Sequence, residues 1–207
     1  YTIREYICNF IMSTLETNLI QPSTGTTLTL GASGDTINVA GTAGTGFGKI
    51  LQVVSTAKTD TYGETISGNT LSTTIVTGLQ PSITPASTSN KILVIVTLSL
   101  GYASNSTGDS LGFVIKRDST AIGKGDSSGS RTSLTTATNF SSTFTLENLS
   151  MTFLDSPSST SSLTYGISLF NGSGSSRTCL LNRDDRNDDA AYAARGISTI
   201  TLMEVAG

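Results

Sequence analysis

The residues best suited to chemistry form one acidic segment near the end of the chain, at positions 182–189. It reads Asn-Arg-Asp-Asp-Arg-Asn-Asp-Asp, so four aspartates and two asparagines stand within eight residues. Oxygen ligands of this kind suit calcium, and an alternative metal site would use Asp184, Asp185, Asp188 and Asp189. The segment has neither glycine nor the spacing of an EF-hand loop, and the interleaved Arg183 and Arg186 would repel a cation. A glycan- or receptor-contacting loop and a solvated, salt-bridged loop are the other interpretations.

Side chains that could contact a glycan or a protein receptor cluster in two places. Tyr102 stands near the start of a Ser/Asn/Gly-rich stretch, and Tyr192 follows the acidic segment, so either ring could stack on a sugar. The candidate contact residues are Tyr102, Asn105, Asn182, Arg183, Asp184, Asp185 and Tyr192. The chain has no tryptophan, which weakens this interpretation because tryptophan offers the largest stacking surface.

Catalysis has little support in the residue types. Two carboxylates about 5–9 Å apart could hydrolyse a glycosidic bond, but no spacing among Asp126, Glu147, Asp155 and Glu204 favours any pair. Glu64, Glu147 and Glu204 stand in or beside strands and are expected to face outward. The chain has no histidine, which removes the commonest general base and metal ligand. We therefore predict a protein that is not an enzyme and uses no cofactor.

The composition points to β-structure and excludes two classes of partner. Only 13% of the residues are charged, and hydroxyl residues, above all β-branched threonine, take the place of charge. The net charge of −3 offers no basic patch for a phosphate backbone, so we expect no nucleic-acid binding. No apolar stretch approaches the roughly 20 residues that span a bilayer, so we expect no membrane insertion.

Short β-branched runs separated by turn residues predict strands and no amphipathic helix. The strongest run is Lys91–Leu100, in which Leu98 and Leu100 are expected to face inward. The other predicted strands are 49–54, 73–77, 111–116, 143–153, 163–169, 177–181 and 197–205. The aromatic residues expected in the core are Phe113, Phe144, Phe153 and Tyr165. About eight or nine such strands predict an all-β fold, a jelly-roll-like antiparallel β-sandwich.

Three zones divide the chain. Residues 1–11 precede Met12 and are interpreted as a non-native or disordered leader, with translation starting at Met12 and Cys8 outside the working protein. Residues 12–48 hold short alternating runs closed by glycine, which predict a fibrous β lead-in completed by sister chains. Residues 49–207 form the globular sandwich, in which we expect Cys179 to be a buried thiol.

Four strings carry a resemblance to a known class of proteins. They are 46–54, 83–94, 153–157 and 197–205, and together they resemble fibre-type structural proteins of marine tailed phages over roughly residues 13–207. The resemblance implies a tail-fibre-like virion appendage with a fibrous lead-in and a globular end, assembled as a homotrimer. Its implied partners are other virion proteins and a host cell-surface glycan or protein.

The sequence therefore favours a non-catalytic component of the virion surface that mediates host attachment or particle assembly. Several weak loop contacts on each of three chains would add up to firm attachment. The alternatives are a capsid decoration protein, a glycan-binding or TNF-like ligand domain, and a polysaccharide depolymerase.

Overall fold

The computed structural model describes residues 49–103 and 109–207. Within them the chain is all β-strand without a helix, and two antiparallel sheets pack face to face as a β-sandwich. The predicted fold class is confirmed for this region. The predicted leader at 1–11 and the predicted lead-in at 12–48 lie outside the described residues.

Twelve strands make up the two sheets. Their bounds are β1 Ile50–Lys58, β2 Tyr62–Ile66, β3 Thr70–Leu71, β4 Ser82–Ile83, β5 Lys91–Ala103, β6 Ser110–Arg117, β7 Thr120–Ile122, β8 Thr136–Asn139, β9 Glu147–Asp155, β10 Leu163–Asn171, β11 Arg177–Leu181 and β12 Ser198–Val205. Several of them are fragments of longer interrupted strands. Thus β11 and β12 both pair with the same edge of β5, while β9 pairs with its other edge.

When the consecutive fragments of each interrupted strand are counted as one, the fold has eight strand positions. In sheet one, β1 and β2 lie beside β12 and β11, followed by β5 and β9. In sheet two, β3 and β4 lie beside β10, followed by β6 and then by β7 and β8. Numbered along the chain, the positions read 1-8-3-6 in one sheet and 2-7-4-5 in the other. This is the connectivity of a jelly roll, as the sequence predicted.

The core lies between the sheets and follows the two-residue period of the strands. From β5 it takes every second residue, Ile92 through Tyr102, and Leu98 and Leu100 are fully buried as predicted. Sheet two contributes the alternate residues of β6 and β10 to the same core. Phe113, Phe153 and Tyr165 lie in or against this core, which confirms those three predictions.

The predicted strand at 73–77 is wrong. The Ser72 hydroxyl accepts a hydrogen bond from the Thr74 N–H, a local turn that competes with regular pairing. The segment instead bends over the outer face of β10, where Ser168 Oγ donates to Thr74 O and Ile75 lies above Gly166. This segment thereby covers the part of the outer face of sheet two that β10 forms.

Glu204 corrects a second expectation, since it faces inward and is 1% exposed. Its carboxylate accepts hydrogen bonds from Gln52 Nε2 at 2.6 Å, from the Ala86 N–H at 2.7 Å and from Asn90 Nδ2 at 2.5 Å. Burial alone would raise the pKa of Glu204, but these donors lower it below the usual glutamate value. The carboxylate joins β12 to β1 and to the turn before β5.

This lowered pKa predicts an acid-dependent loss of stability. A group whose pKa is depressed by folding stabilises the protein above its unfolded pKa, and the stabilisation is lost as the pH falls through the folded pKa. We expect Glu204→Gln to unfold more easily near neutral pH and to lose less stability than the wild type on acidification. Urea titrations between about pH 3 and about pH 7 measure both slopes. Equal slopes would contradict this role of Glu204.

Within residues 49–103 and 109–207, no helix is long and apolar enough to span a bilayer.

Candidate functional site

The acidic segment belongs to a long loop, residues 182–197, that joins β11 to β12 and is called the acidic loop below. It starts where the Asn182 N–H donates to Ser99 O at 2.8 Å. A Cβ on Gly101 would collide with the Arg183 carbonyl oxygen, and a Cβ on Gly196 would collide with the Ser99 hydroxyl. The loop therefore crosses the outer face of sheet one in close contact with β5. Two glycines make that approach possible.

Asn182 fixes the base of the acidic loop. Its backbone is left-handed, with φ of 62°, a conformation that asparagine tolerates better than most residues. Its amide donates to Lys58 O and Asp60 O, both at 2.8 Å, and its side-chain oxygen accepts from Ser198 Oγ at 2.7 Å. The side chain is fully buried, so Asn182 is an anchor rather than the surface contact that the sequence predicted.

Asp184 is likewise turned inward and is 3% exposed, which corrects its assignment as a contact residue. Its carboxylate accepts from the Arg186 N–H at 3.1 Å, from Arg186 Nε at 2.8 Å and from Arg186 Nη2. Burial by itself would raise the pKa of Asp184, but the hydrogen bonds and charge of Arg186 hold it below the usual aspartate value. The ion pair closes the loop on itself.

Two exposed aromatic rings also contact the guanidinium of Arg186. Its guanidinium carbon lies 4.9 Å from the centroid of Phe144 and 5.0 Å from that of Tyr192. The same guanidinium donates to Phe144 O at 3.3 Å and to Tyr192 O at 3.1 Å. We call these three residues the arginine–aromatic platform. Phe144 is 57% exposed and Tyr192 61% exposed, so the prediction of Phe144 as a core residue is wrong.

The rest of the acidic loop forms a shallow, open depression of about 620 Å³. It is lined by residues 187–191, 193 and 195. Tyr192 Oη donates to Asp188 Oδ2 at 3.0 Å, and this hydrogen bond raises the pKa of the phenol. Arg195 Nη2 donates to Asn187 Oδ1 at 2.7 Å across the loop. Two carboxylates, one amide and one guanidinium therefore border the depression beside the platform.

The alternative calcium site does not assemble. Asp184 is committed to Arg186, and Asp188 accepts the hydroxyl of Tyr192. Across residues 49–103 and 109–207, no three His, Cys, Asp or Glu side chains converge in a way that could hold a metal ion. An arginine side chain, not a metal ion, pairs with the buried carboxylate of the acidic loop.

Tyr102 is the clearest correction among the predicted contact residues. Its ring is fully buried, stacks on Phe140 with centroids 5.7 Å apart, and donates its hydroxyl to Asn171 Oδ1 at 3.0 Å. Burial raises its pKa to about 12. Asn105 lies outside the described residues.

Arg183, Asp185 and Tyr192 remain candidate contact residues. Tyr192 is exposed, whereas Arg183 and Asp185 are half-buried. The Asp185 N–H donates to Thr143 O at 3.2 Å, and Arg183 forms an isolated bridge with Arg195. The backbone of both residues is thus held while part of each side chain reaches solvent.

The two most buried carboxylates on the candidate catalytic list stand near each other without forming an active site. Asp155 and Glu204 are the cross-strand neighbours of Ile92 on its two sides, two strand spacings or ~10 Å apart. Asp155 is bound to Arg117 and Tyr165, and Glu204 to Gln52 and Asn90. Both face the interior, where a polysaccharide has no access.

A serine–lysine pair and a thiol complete the nucleophiles of interest. Ser55 and Lys58 have Ser-x-x-Lys spacing, but residues three apart on a strand face opposite sides. Ser55 Oγ lies 2.8 Å from Thr201 Oγ1, and Lys58 Nζ donates to Asp60 Oδ2 at 2.8 Å. Cys179 is buried as predicted, and burial raises its pKa to about 12, which leaves the thiol unreactive.

Comparison with known proteins gives little beyond the geometry. No protein-family model and no curated protein matches the chain. Among solved structures, a chain described as "Structure of infectious bursal disease virus Gt strain" is 15% identical, with a TM-score of 0.37. The match covers 75% of this chain, and this chain spans only 38% of that one. Similarity at this level supports no assignment of function.

The platform itself was not predicted. Phe144 and Arg186 are 42 positions apart, and no periodicity links a residue before β9 to one between β11 and β12. Phe144 and Leu146 alternate with threonines, which is the pattern of a half-buried strand, so this stretch of sequence predicted burial of Phe144 and not its exposure.

Proposed function

We propose that the protein is a structural component of a phage virion, carried on a tail fibre or similar appendage. It acts by binding, not by catalysis, and its acidic loop contacts the host cell surface. The observation that carries the proposal is the arginine–aromatic platform, in which Arg186 of the anchored acidic loop contacts the exposed rings of Tyr192 in the same loop and of Phe144 before β9. Exposed aromatic side chains and arginine are the residue types that most often dominate binding energy.

Rigidity is the first argument for a contact role. Arg186 is held by Asp184 and by two carbonyl oxygens, so the rings of Phe144 and Tyr192 rest on a fixed cation. Cation–π contacts at exposed sites stabilise by about 0.5–1 kcal/mol each. A group that is already ordered loses little entropy on binding, which favours recognition by a small number of side chains.

The chemistry of the loop is the second argument. A flat ring stacks on the apolar face of a sugar, while carboxylates and amides accept from and donate to its hydroxyls. Tyr192 stands beside Asp188, and Asn187 beside Arg195, so ring and hydrogen-bonding groups adjoin one another. The ligand class that fits is a surface polysaccharide, with a protein receptor as the alternative.

The resemblance to fibre-type phage proteins and the hydroxyl-rich jelly roll support the virion context. Such a sandwich exposes its loops on a stable scaffold, a usual place for variable binding residues. In several copies per particle, weak contacts would combine into firm attachment.

The test uses the full chain, fluorescently labelled, on a panel of marine bacterial strains and on an array of their purified surface polysaccharides. We expect Tyr192→Ala and Phe144→Ala each to weaken binding by about tenfold or more, since platform residues of this type act as hot spots. Thr160→Ala, an exposed residue in the loop between β9 and β10, is the control that should bind as the wild type.

Two outcomes would overturn the proposal. Cell binding that survives both platform substitutions would remove the acidic loop from recognition. Binding to capsids together with no binding to any strain or polysaccharide would favour the decoration protein. Gold-labelled antibodies on intact virions distinguish fibre from capsid directly.

A further inference from the structure

Sheet one has an outer face that the described part of the chain covers only in part. The acidic loop crosses the half of this face near Ser99 and Gly101. The other half lies towards the start of β5 and carries a continuous apolar row. From one edge of the sheet to the other, this row is Val53, Met203, Leu93 and Leu154.

The exposure of this row is unusual for the molecule. Val53 is 56% exposed and Leu154 46% exposed. At a bulge next to Val53, Ile50 and Leu51 add exposures of 46% and 49%. Four of the seven exposed large apolar side chains of the described residues therefore border one face. Contiguous exposed apolar residues of this kind mark interaction sites.

The chain hides the equivalent face of sheet two, which makes the contrast informative. Val114 points outward from β6 and is nevertheless fully buried. Ile75 lies over Gly166, and Leu134 lies over Gly112, so the protein's own loops cover that face. In the row on sheet one, by contrast, Val53 and Leu154 remain about half exposed when only the described residues surround them.

The lack of charged residues on this face of sheet one favours a second copy of the chain as its partner. Below the apolar row run Ser55, Thr201, Ile95 and Thr152, and below these Ala57, Thr199, Thr97 and Ser150. None of these twelve residues is charged. Symmetric copies of a chain bring equal groups close together, so charges on such a face would repel their own images. The chain carries a net charge of −3, and a charge-free face lets its copies approach.

We infer that this face, centred on Val53, Leu93, Leu154 and Met203, is the surface by which copies of this chain associate. The apolar row forms the buried centre, the rows of hydroxyl residues extend it, and Lys91 beside Val205 lies at its charged rim. The association leaves the acidic loop on the other half of the sheet. The inference does not depend on the proposed attachment role.

The experiment measures the mass of the full chain by light scattering coupled to size-exclusion chromatography. We expect an oligomer that dissociates at least about tenfold more readily in Val53→Glu and in Leu154→Glu, because each buries an unpaired charge. Ile197→Glu is the matched control, since this aliphatic residue is 51% exposed but belongs to the acidic loop. It should keep the wild-type mass.

Folding is checked separately by circular dichroism and thermal unfolding of each variant, and the milder Val53→Ser serves if a glutamate variant unfolds. A monomeric wild type overturns the inference. So does an oligomer that Val53→Glu, Leu154→Glu and Val53→Ser leave intact, which would place the association elsewhere. Failure of cell binding with an intact oligomer would count against the attachment role alone.

Discussion

Replacement of Asp155 by alanine is expected to lower the free energy of unfolding by about 3 kcal/mol, because it removes the acceptor shared by a buried tyrosine and a partly buried arginine. Arg117 Nη1 and Tyr165 Oη both donate to Asp155 Oδ2 at 2.7 Å. The carboxylate belongs to β9 in sheet one, and its donors belong to β6 and β10 in sheet two. The network therefore joins the two sheets.

Arg117 and Tyr165 differ in how much free energy the loss of the Asp155 acceptor costs. The side chain of Arg117 is 24% exposed and can recruit water, whereas Tyr165 is fully buried and cannot. Burial and the neighbouring carboxylate raise the pKa of Tyr165 well above its usual value, so the phenol stays a donor at physiological pH. Most of the expected destabilisation therefore comes from the orphaned hydroxyl of Tyr165.

Chemical denaturation of Asp155→Ala, Tyr165→Phe and the double variant separates these contributions. Tyr165→Phe removes only the hydroxyl and should cost about 1 kcal/mol. In the Asp155→Ala background the same change should cost little or even stabilise, since no unpaired hydroxyl remains. Additive effects in the double variant would show that Asp155 and Tyr165 are not energetically coupled.

Asn182→Ala is expected to destabilise the protein by about 2–4 kcal/mol, since it leaves one buried and one partly buried carbonyl group without this donor and strains the backbone. Lys58 O and Asp60 O lose their donor, and Ser198 Oγ loses its acceptor. Alanine must also adopt the left-handed conformation, with φ of 62°, that asparagine accepts. The same change should loosen the acidic loop, because Asn182 is its base.

Asn182→Gly is the control that divides the two causes. Glycine adopts the left-handed conformation freely but makes no side-chain hydrogen bond, so it should recover roughly 1 kcal/mol relative to alanine. Hydrogen exchange reports on the loop, where faster exchange at residues 183–196 is expected in both variants. Unchanged exchange there would show that Asn182 does not anchor the acidic loop.

The sequence by itself determined the class of the fold. Threonine-rich alternation and dense β-branched runs predicted the long strands β1, β5, β6, β9, β10, β11 and β12 close to their observed positions. The inward direction of Leu98 and Leu100 followed from the two-residue period alone. Core burial is a local pattern repeated along each strand, and such a pattern is readable without knowing the partners.

Only the tertiary structure decided the roles of the polar and aromatic residues. In the sequence, Glu204, Asn182 and Tyr102 look like surface residues. In the structure each is buried and forms hydrogen bonds to residues distant along the chain. Phe144 looks like core and is exposed beside Arg186. Hydrophobicity predicts burial only on average, because a polar group can be buried wherever enough donors or acceptors converge on it.

The candidate site illustrates the same limit at a larger scale. The acidic segment was visible in the sequence as a run of charges. Its organisation by Arg186, its path across sheet one and its contact with aromatic rings depend on three separate parts of the chain. Strand register brings those parts together, and register depends on every pairing in the sheet at once. Local composition therefore located the loop, while the packed sandwich determined which of its side chains face solvent.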